Sequence, residues 1–294
     1  MDRLQLDKNA KLTGRVYFKD EVMWLGLSGS GASFTFDGTK LVLKLKGDNI
    51  AVGDNPIDYA RIAVYVDGKR VVDEMIDCAE KEVTVIDRTE SAKSVVEIIK
   101  LSESPMSAVG IEAFAEGSAE ALPEKPLKIE FIGDSITCGY GVDDEDENHQ
   151  FTTATEDVTK AYAYKTAKAL DAEYSMFSAS GYGIVSGYTE GDEPISEQTI
   201  PQFYCSYGFS RGNFAGTAPQ DIPWDFSKYI PQIIVINLGT NDDSYCRDHK
   251  DRQAVFSKLY ADFLAVVREK NPQAYILCTV GIMGERIFPA VEEG

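Results

Sequence analysis

"IEFIGDSITCGYG", residues 129–141, runs from a four-residue apolar and acidic stretch into a glycine, an aspartate and a serine, and then into a short helix-like segment. The change from strand grammar to helix grammar within a few residues is the opening of a βα unit. Two more strand-like runs end the same way: "EYSMFSAS" (173–180) leads into "GYG", and "QIIVINLG" (232–239) leads into "TND". The second of these is apolar on both faces, as a buried parallel strand is. Helical periodicity follows in "DVTKAYAYKTAKALD" (157–171) and "QAVFSKLYADFLAVVREK" (253–270), and "AYILCTVG" (274–281) reads as a further buried strand. Residues 127–294 are therefore expected to form an α/β domain with a central parallel sheet, its ligands bound at the carboxyl ends of the strands.

Upstream the grammar differs. From Lys11 to about Gly117 apolar residues alternate with polar ones, and Asp-Gly pairs interrupt the alternation at 37–38 and 67–68. Such pairs supply the positive φ angles of tight turns, so both are expected to close β-hairpins. With "EVTVID" (82–87), "SVVEIIKL" (94–101) and "VGIEAFAE" (109–116), about eight short strands and no amphipathic helix indicate an all-β sandwich of jelly-roll type over residues 1–117. The small, charged and proline-bearing stretch around 118–126 has linker composition.

Composition narrows the partners. The 294 residues carry 48 Asp and Glu against 29 Lys and Arg, a net charge of −19, which repels nucleic acid and anionic membrane surfaces. No run of apolar residues is long enough to span a bilayer. Five scattered cysteines form no CxxC pair and no His/Cys cluster, so neither a disulfide frame nor a metal site is expected. No cofactor is called for. The opening residues lack the apolar core of a signal peptide, which points to the cytoplasm unless a leader has been removed. The acidic run "DDEDE" (143–147) is expected to be a solvated loop.

Each strand end alone has an ordinary explanation. A serine at a strand-to-helix junction is commonly a helix cap, glycines form turns, and an asparagine can cap the next helix. Taken together they suit acyl transfer, which needs a hydroxyl nucleophile and preorganised donors for the developing oxyanion. The main-chain N–H of Ser135, that of Gly181 and the amide of Asn241 would make such a cradle.

The succession GDS (133–135), a glycine after a serine-rich turn (178–183) and GTND (239–242) resembles the first three blocks of the SGNH (GDSL) hydrolase superfamily. The strings "IEFIGDSITCGYG", "SASGYGIV" and "IIVINLGTND" after a β-sandwich are similar to carbohydrate esterase family 2. That resemblance implies a jelly roll fused to an SGNH domain, Ser135 as nucleophile, Gly181 and Asn241 as oxyanion partners, and removal of O-acetyl groups from polysaccharides such as xylan and mannan. The expected partner is an acetylated oligo- or polysaccharide. Two other readings stay open: a non-catalytic carbohydrate-binding protein with a degenerate hydrolase half, and a lipid or thioester hydrolase.

A serine hydroxyl needs a base, normally a histidine. His149 lies in an acidic loop and His249 in "CRDHKDRQ", both expected at the surface. The family's late DxxH block does not occur in these residues, so the catalytic histidine is expected beyond Gly294. Asp134 is expected to make a structural hydrogen bond. Tyr188, Tyr182 and Trp224, in or near the motif loops, are expected to line the substrate site with aromatic faces.

Overall fold

Alternating residues in the first part of the chain do pair as antiparallel strands. The computed structural model describes residues 1–146 and 148–294. Within them β1 (Asp2–Leu4), β2 (Lys11–Thr13), β3 (Val16–Lys19), β4 (Val22–Leu25), β5 (Gly31–Gly47), β6 (Ala60–Val66), β7 (Lys69–Ile76), β8 (Glu80–Lys100) and β9 (Val109–Ala121) form a nine-stranded sheet. Its order is β3-β4-β9-β5-β8-β6-β7, with β1 on β9 and β2 on β5. A one-turn helix, α1 (Leu6–Asn9), joins β1 to β2.

Asp67-Gly68 closes the expected hairpin between β6 and β7, with φ of 50° and 78°. Asp37-Gly38 does not. It lies inside the 17-residue strand β5, where the pairing with both β8 and β9 slips between Gly38 and Lys40. The slip has a physical role. Phe34 and Phe36 are buried before it and Leu41, Leu43 and Leu45 after it, all in one core. Even positions point inward on one side of the bulge and odd positions on the other. A one-residue shift of register reverses the faces of a strand, so the bulge keeps both halves of β5 facing the core. Gly38 permits it, because a Cβ there would stand 2.3 Å from the main-chain oxygen of Glu116 on β9. "EVTVID" and "SVVEIIKL" likewise belong to one strand, the 21-residue β8. Residues 118–121 of the expected linker are the end of β9 and pair with β5.

The second half is the expected α/β unit. Strands β10 (Lys128–Gly133), β11 (Glu173–Ser178), β12 (Ile233–Asn237) and β13 (Tyr275–Thr279) make a parallel sheet in the order β11-β10-β12-β13. Around it lie α2 (Ser135–Cys138), α3 (Tyr162–Ala169), α4 (Thr240–Cys246), α5 (Lys250–Lys270) and α6 (Phe288–Glu293). One expectation is corrected here. Strand β13 is an edge strand that pairs only with β12, and its Tyr275 and Leu277 are 82% and 57% exposed rather than buried.

The two halves share their interior. Arg15, entirely buried at the start of β3, reaches from the sandwich to Glu130 on β10 at 3.3 Å and donates to the main-chain oxygen of Tyr204 at 2.6 Å. Its guanidinium also lies 4.3 Å from the ring centre of Phe177 on β11. Ala63, Ile99 and Leu101 of the sandwich pack with Ile129 and Phe131 of β10 in a single apolar cluster.

Candidate active site

Register brings the three motifs together. Gly133, the last residue of β10, pairs with Ser178 at the end of β11 and with Asn237 at the end of β12. The loops that follow these three strands therefore leave the sheet side by side.

Ser135 opens the one-turn helix α2. Gly133 lets that turn fold tightly onto its strand, since a Cβ would stand 2.0 Å from Oγ1 of Thr137. Asp134 is the cap: its Oδ1 accepts the N–H of Ile136 at 3.0 Å. This is the structural bond expected of it. Gly139, at φ 82°, ends the helix. The described contacts give the N–H and Oγ of Ser135 no internal partner, so both are free for a ligand.

The second loop is a β-turn. The N–H of Tyr182 reaches the oxygen of Ala179 at 3.3 Å, and Gly181 stands in third position with φ 79°. A positive φ at that place is the mark of a type II turn and calls for glycine. The carbonyl of Gly181 accepts from Tyr188 N–H at 2.8 Å, while its own N–H has no internal partner among the described contacts. Asn241, the second residue of α4, donates from Nδ2 to the main-chain oxygen of Tyr182 at 2.8 Å. Thus the second and third loops are tied to each other, and Nδ2 of Asn241 lies 3.5 Å from Oδ2 of Asp134 in the first. The structure thereby ties together the loops that carry Ser135, Gly181 and Asn241.

Sequence reasoning passed over Asp242. Fully buried, its carboxylate accepts the N–H groups of Ile184, Val185 and Ser186 at 2.6 to 3.1 Å and so anchors the loop that carries Gly181. Gly183 makes room for it, because a Cβ there would stand 2.5 Å from Oδ2 of Asp242. The signal was in plain view: an acid after Asn241 and a second glycine in "SASGYG". Burial raises the carboxyl of Asp242 to about 6. It also raises that of Asp134 to about 7, with the nearby Asp242 charge adding to the effect.

The aromatic residues divide. Tyr188 is 55% exposed beside the turn. The ring of Tyr182 packs on Phe209, with centres 5.0 Å apart, and its contribution to the site is its main-chain oxygen. Trp224 is drawn instead into packing: it lies 5.2 Å from the Arg15 guanidinium and against the cluster of Val22, Trp24 and Phe214. The ring is half-buried, and the interior Arg15 cation holds one of its faces.

Both histidines lie at the surface. His149 is 63% exposed, its Nδ1 2.8 Å from Asp144, and His249 precedes α5 with its side chain in solvent. No described contact joins either to Ser135. The acidic run is only partly solvated, since Asp143 is half-buried against Arg61 at 2.9 Å. Glu147, its last member, lies outside the described residues.

Residues 131–293 match the GDSL-like Lipase/Acylhydrolase family. The chain belongs to that family. Residues 12–126 match the Carbohydrate esterase 2 N-terminal domain, so this GDSL-family chain has the architecture of carbohydrate esterase family 2. It is 32% identical over 259 residues to the cellulase/esterase CelE of Acetivibrio thermocellus, covering 87% of this chain and 29% of that protein. It is 29% identical over 282 residues to an acetylxylan esterase / glucomannan deacetylase of Cellvibrio japonicus, covering 94% of this chain and 72% of the relative. Among solved structures, a family two carbohydrate esterase from Clostridium thermocellum in complex with cellohexaose superposes with a TM-score of 0.78 at 27% identity, over 97% of this chain and 82% of that one.

Proposed function

We propose that this GDSL-family chain is a serine esterase that removes O-acetyl groups from hemicellulose-derived oligo- or polysaccharides. The observation that carries the reading is the convergence of Ser135, Gly181 and Asn241 at three strand ends in register, with two free main-chain N–H groups and an amide already oriented by Tyr182. The names of the acetylxylan esterase and of the cellohexaose-bound structure support the substrate class.

In this reading Oγ of Ser135 attacks the acetyl carbonyl carbon. Negative charge gathers on the carbonyl oxygen, where the N–H of Ser135, the N–H of Gly181 and Nδ2 of Asn241 receive it. Such donors cost no reorganisation at the moment of reaction, and each typically contributes about 3 kcal/mol. The sugar hydroxyl leaves, and water then attacks the acyl-serine and releases acetate. The proton of Ser135 needs a base. His149 and His249 face solvent and are not assigned that role.

Acetate release from acetylated xylan and glucomannan, together with labelling of Ser135 by an organophosphonate, tests the proposal on the full-length protein. Ser135→Ala should fold and be inert. A folded wild-type protein that neither labels nor releases acetate, yet binds these glycans in a calorimeter, would establish the carbohydrate-binding reading instead.

A further inference from the structure

The strap that follows β8, residues 101–107, leaves the sandwich and passes beneath the catalytic loops. Its Glu103 is entirely buried. Oε2 of that residue accepts the main-chain N–H of Ser180 at 2.6 Å, one residue before Gly181. The same oxygen lies 3.9 Å from Sγ of Cys138, which closes the single turn of α2 begun by Ser135, and Sγ in turn meets Oγ of Ser178 at 3.3 Å. One carboxylate from the sandwich therefore touches the supports of two of the three oxyanion donors.

Glu103 is itself held firmly. Its N–H donates to Oε2 of Glu156 at 2.9 Å, and its carbonyl accepts from the buried ammonium of Lys100 at 3.0 Å. The next residue, Ser104, donates to the oxygen of Phe209, whose ring packs on Tyr182 of the same turn.

The Gly181 N–H belongs to the central peptide of a type II turn. That peptide differs from its type I counterpart by a flip of nearly half a revolution, so its direction depends on the peptides on either side. On one side the Gly181 carbonyl is tied to Tyr188 N–H. On the other the Ser180 N–H is tied to Glu103. We propose that Glu103 is a positioning residue of the oxyanion hole, by which the β-sandwich aims the Gly181 N–H at the reacting carbonyl. The sandwich is thus a working part of the esterase rather than an appendage. The proposal rests on the serine esterase reading above.

The test follows the rate of Ser135 labelling by an organophosphonate in the full-length protein, with kcat and KM for acetate release alongside. Displacement of a reacting group by about 1 Å can cost about 100-fold, so Glu103→Ala should slow labelling and kcat by about 10- to 100-fold with KM unchanged. Glu103→Gln keeps an acceptor oxygen in place and should restore most of the rate, which a role for the negative charge itself would not produce. Should Glu103→Ala fail to fold, Glu103→Asp decides: it keeps a carboxylate but withdraws it by one methylene, and should lower the rate and speed deuterium exchange at Ser180. Wild-type labelling rates in a folded Ala or Asp variant overturn the proposal while leaving the esterase intact. A wild-type protein that does not label at all overturns the esterase reading and this proposal with it.

Discussion

Asn241 donates from Nδ2 to the main-chain oxygen of Tyr182 at 2.8 Å, across the gap between the loops that follow β11 and β12. The bond fixes the plane of the amide, so its remaining N–H has one direction. Asn241→Ala removes both the proposed oxyanion donor and that tie. We expect kcat/KM for acetate release to fall by about 100- to 1,000-fold, mostly in kcat. A loss confined to KM would make Asn241 a ground-state binding group.

Asp242 satisfies three buried N–H groups in the loop 184–186. Asp242→Ala leaves them without partners, at a cost on the order of 3 kcal/mol in stability. Deuterium exchange at Ile184, Val185 and Ser186 should accelerate more than elsewhere. Unchanged exchange there would show that the loop is held by other contacts.

The carboxyl of Asp134, raised to about 7 by burial and by Asp242, prefers its proton in the folded state. Its contribution to stability is present at acid pH and is lost as pH rises through about 7. Asp134→Asn keeps the cap acceptor and removes the titration. The melting temperature of the wild type relative to this variant should therefore decline from pH 5 to pH 8. A flat difference over that range would contradict the assignment.

Arg15 and Glu130 form a buried ion pair between the sandwich and β10. Removing one partner strands a charge, so Arg15→Met should destabilise the protein by about 3–5 kcal/mol. The double change Arg15→Met with Glu130→Gln should recover part of that loss. Chemical denaturation of the wild type and the two variants measures both effects.

Tyr188 stands 55% exposed beside the Gly181 turn. If its ring stacks on a sugar, Tyr188→Ala should raise KM for an acetylated oligosaccharide by about 2- to 10-fold, the worth of a typical aromatic contact. KM for a small aryl acetate should stay the same. Equal effects on both substrates would remove Tyr188 from the glycan site.

The placement of Ser135, Gly181 and Asn241 past neighbouring strand ends was legible because each follows an apolar run whose length and composition define a strand end, and parallel strands of similar length place their ends together. The change from a period of two to helical periodicity near residue 127 separated the two halves for the same reason: local pattern reports which face is buried. Asp37-Gly38 was misread because an Asp-Gly pair has the same local chemistry in a hairpin and in a bulge. Only pairing with β8 and β9 on either side chose the bulge, which keeps Phe36 and Leu41 in one core. The contact of Trp224 with Arg15 was not legible, because nothing near Trp224 in sequence announces a residue more than 200 positions away.

The sequence by itself determined the two fold classes and the placement of Ser135, Gly181 and Asn241 just past strand ends, because these follow from local periodicity and from backbone demands on glycine and serine. Tertiary structure alone decided what holds those residues in place. Asp242 on the Gly181 loop and Glu103 beneath Ser180 act through side chains that meet main-chain N–H groups 56 to 77 positions away. A hydrogen bond over such a separation leaves no periodic trace in the sequence. It arises only when folding closes the chain and requires each buried donor to find an acceptor.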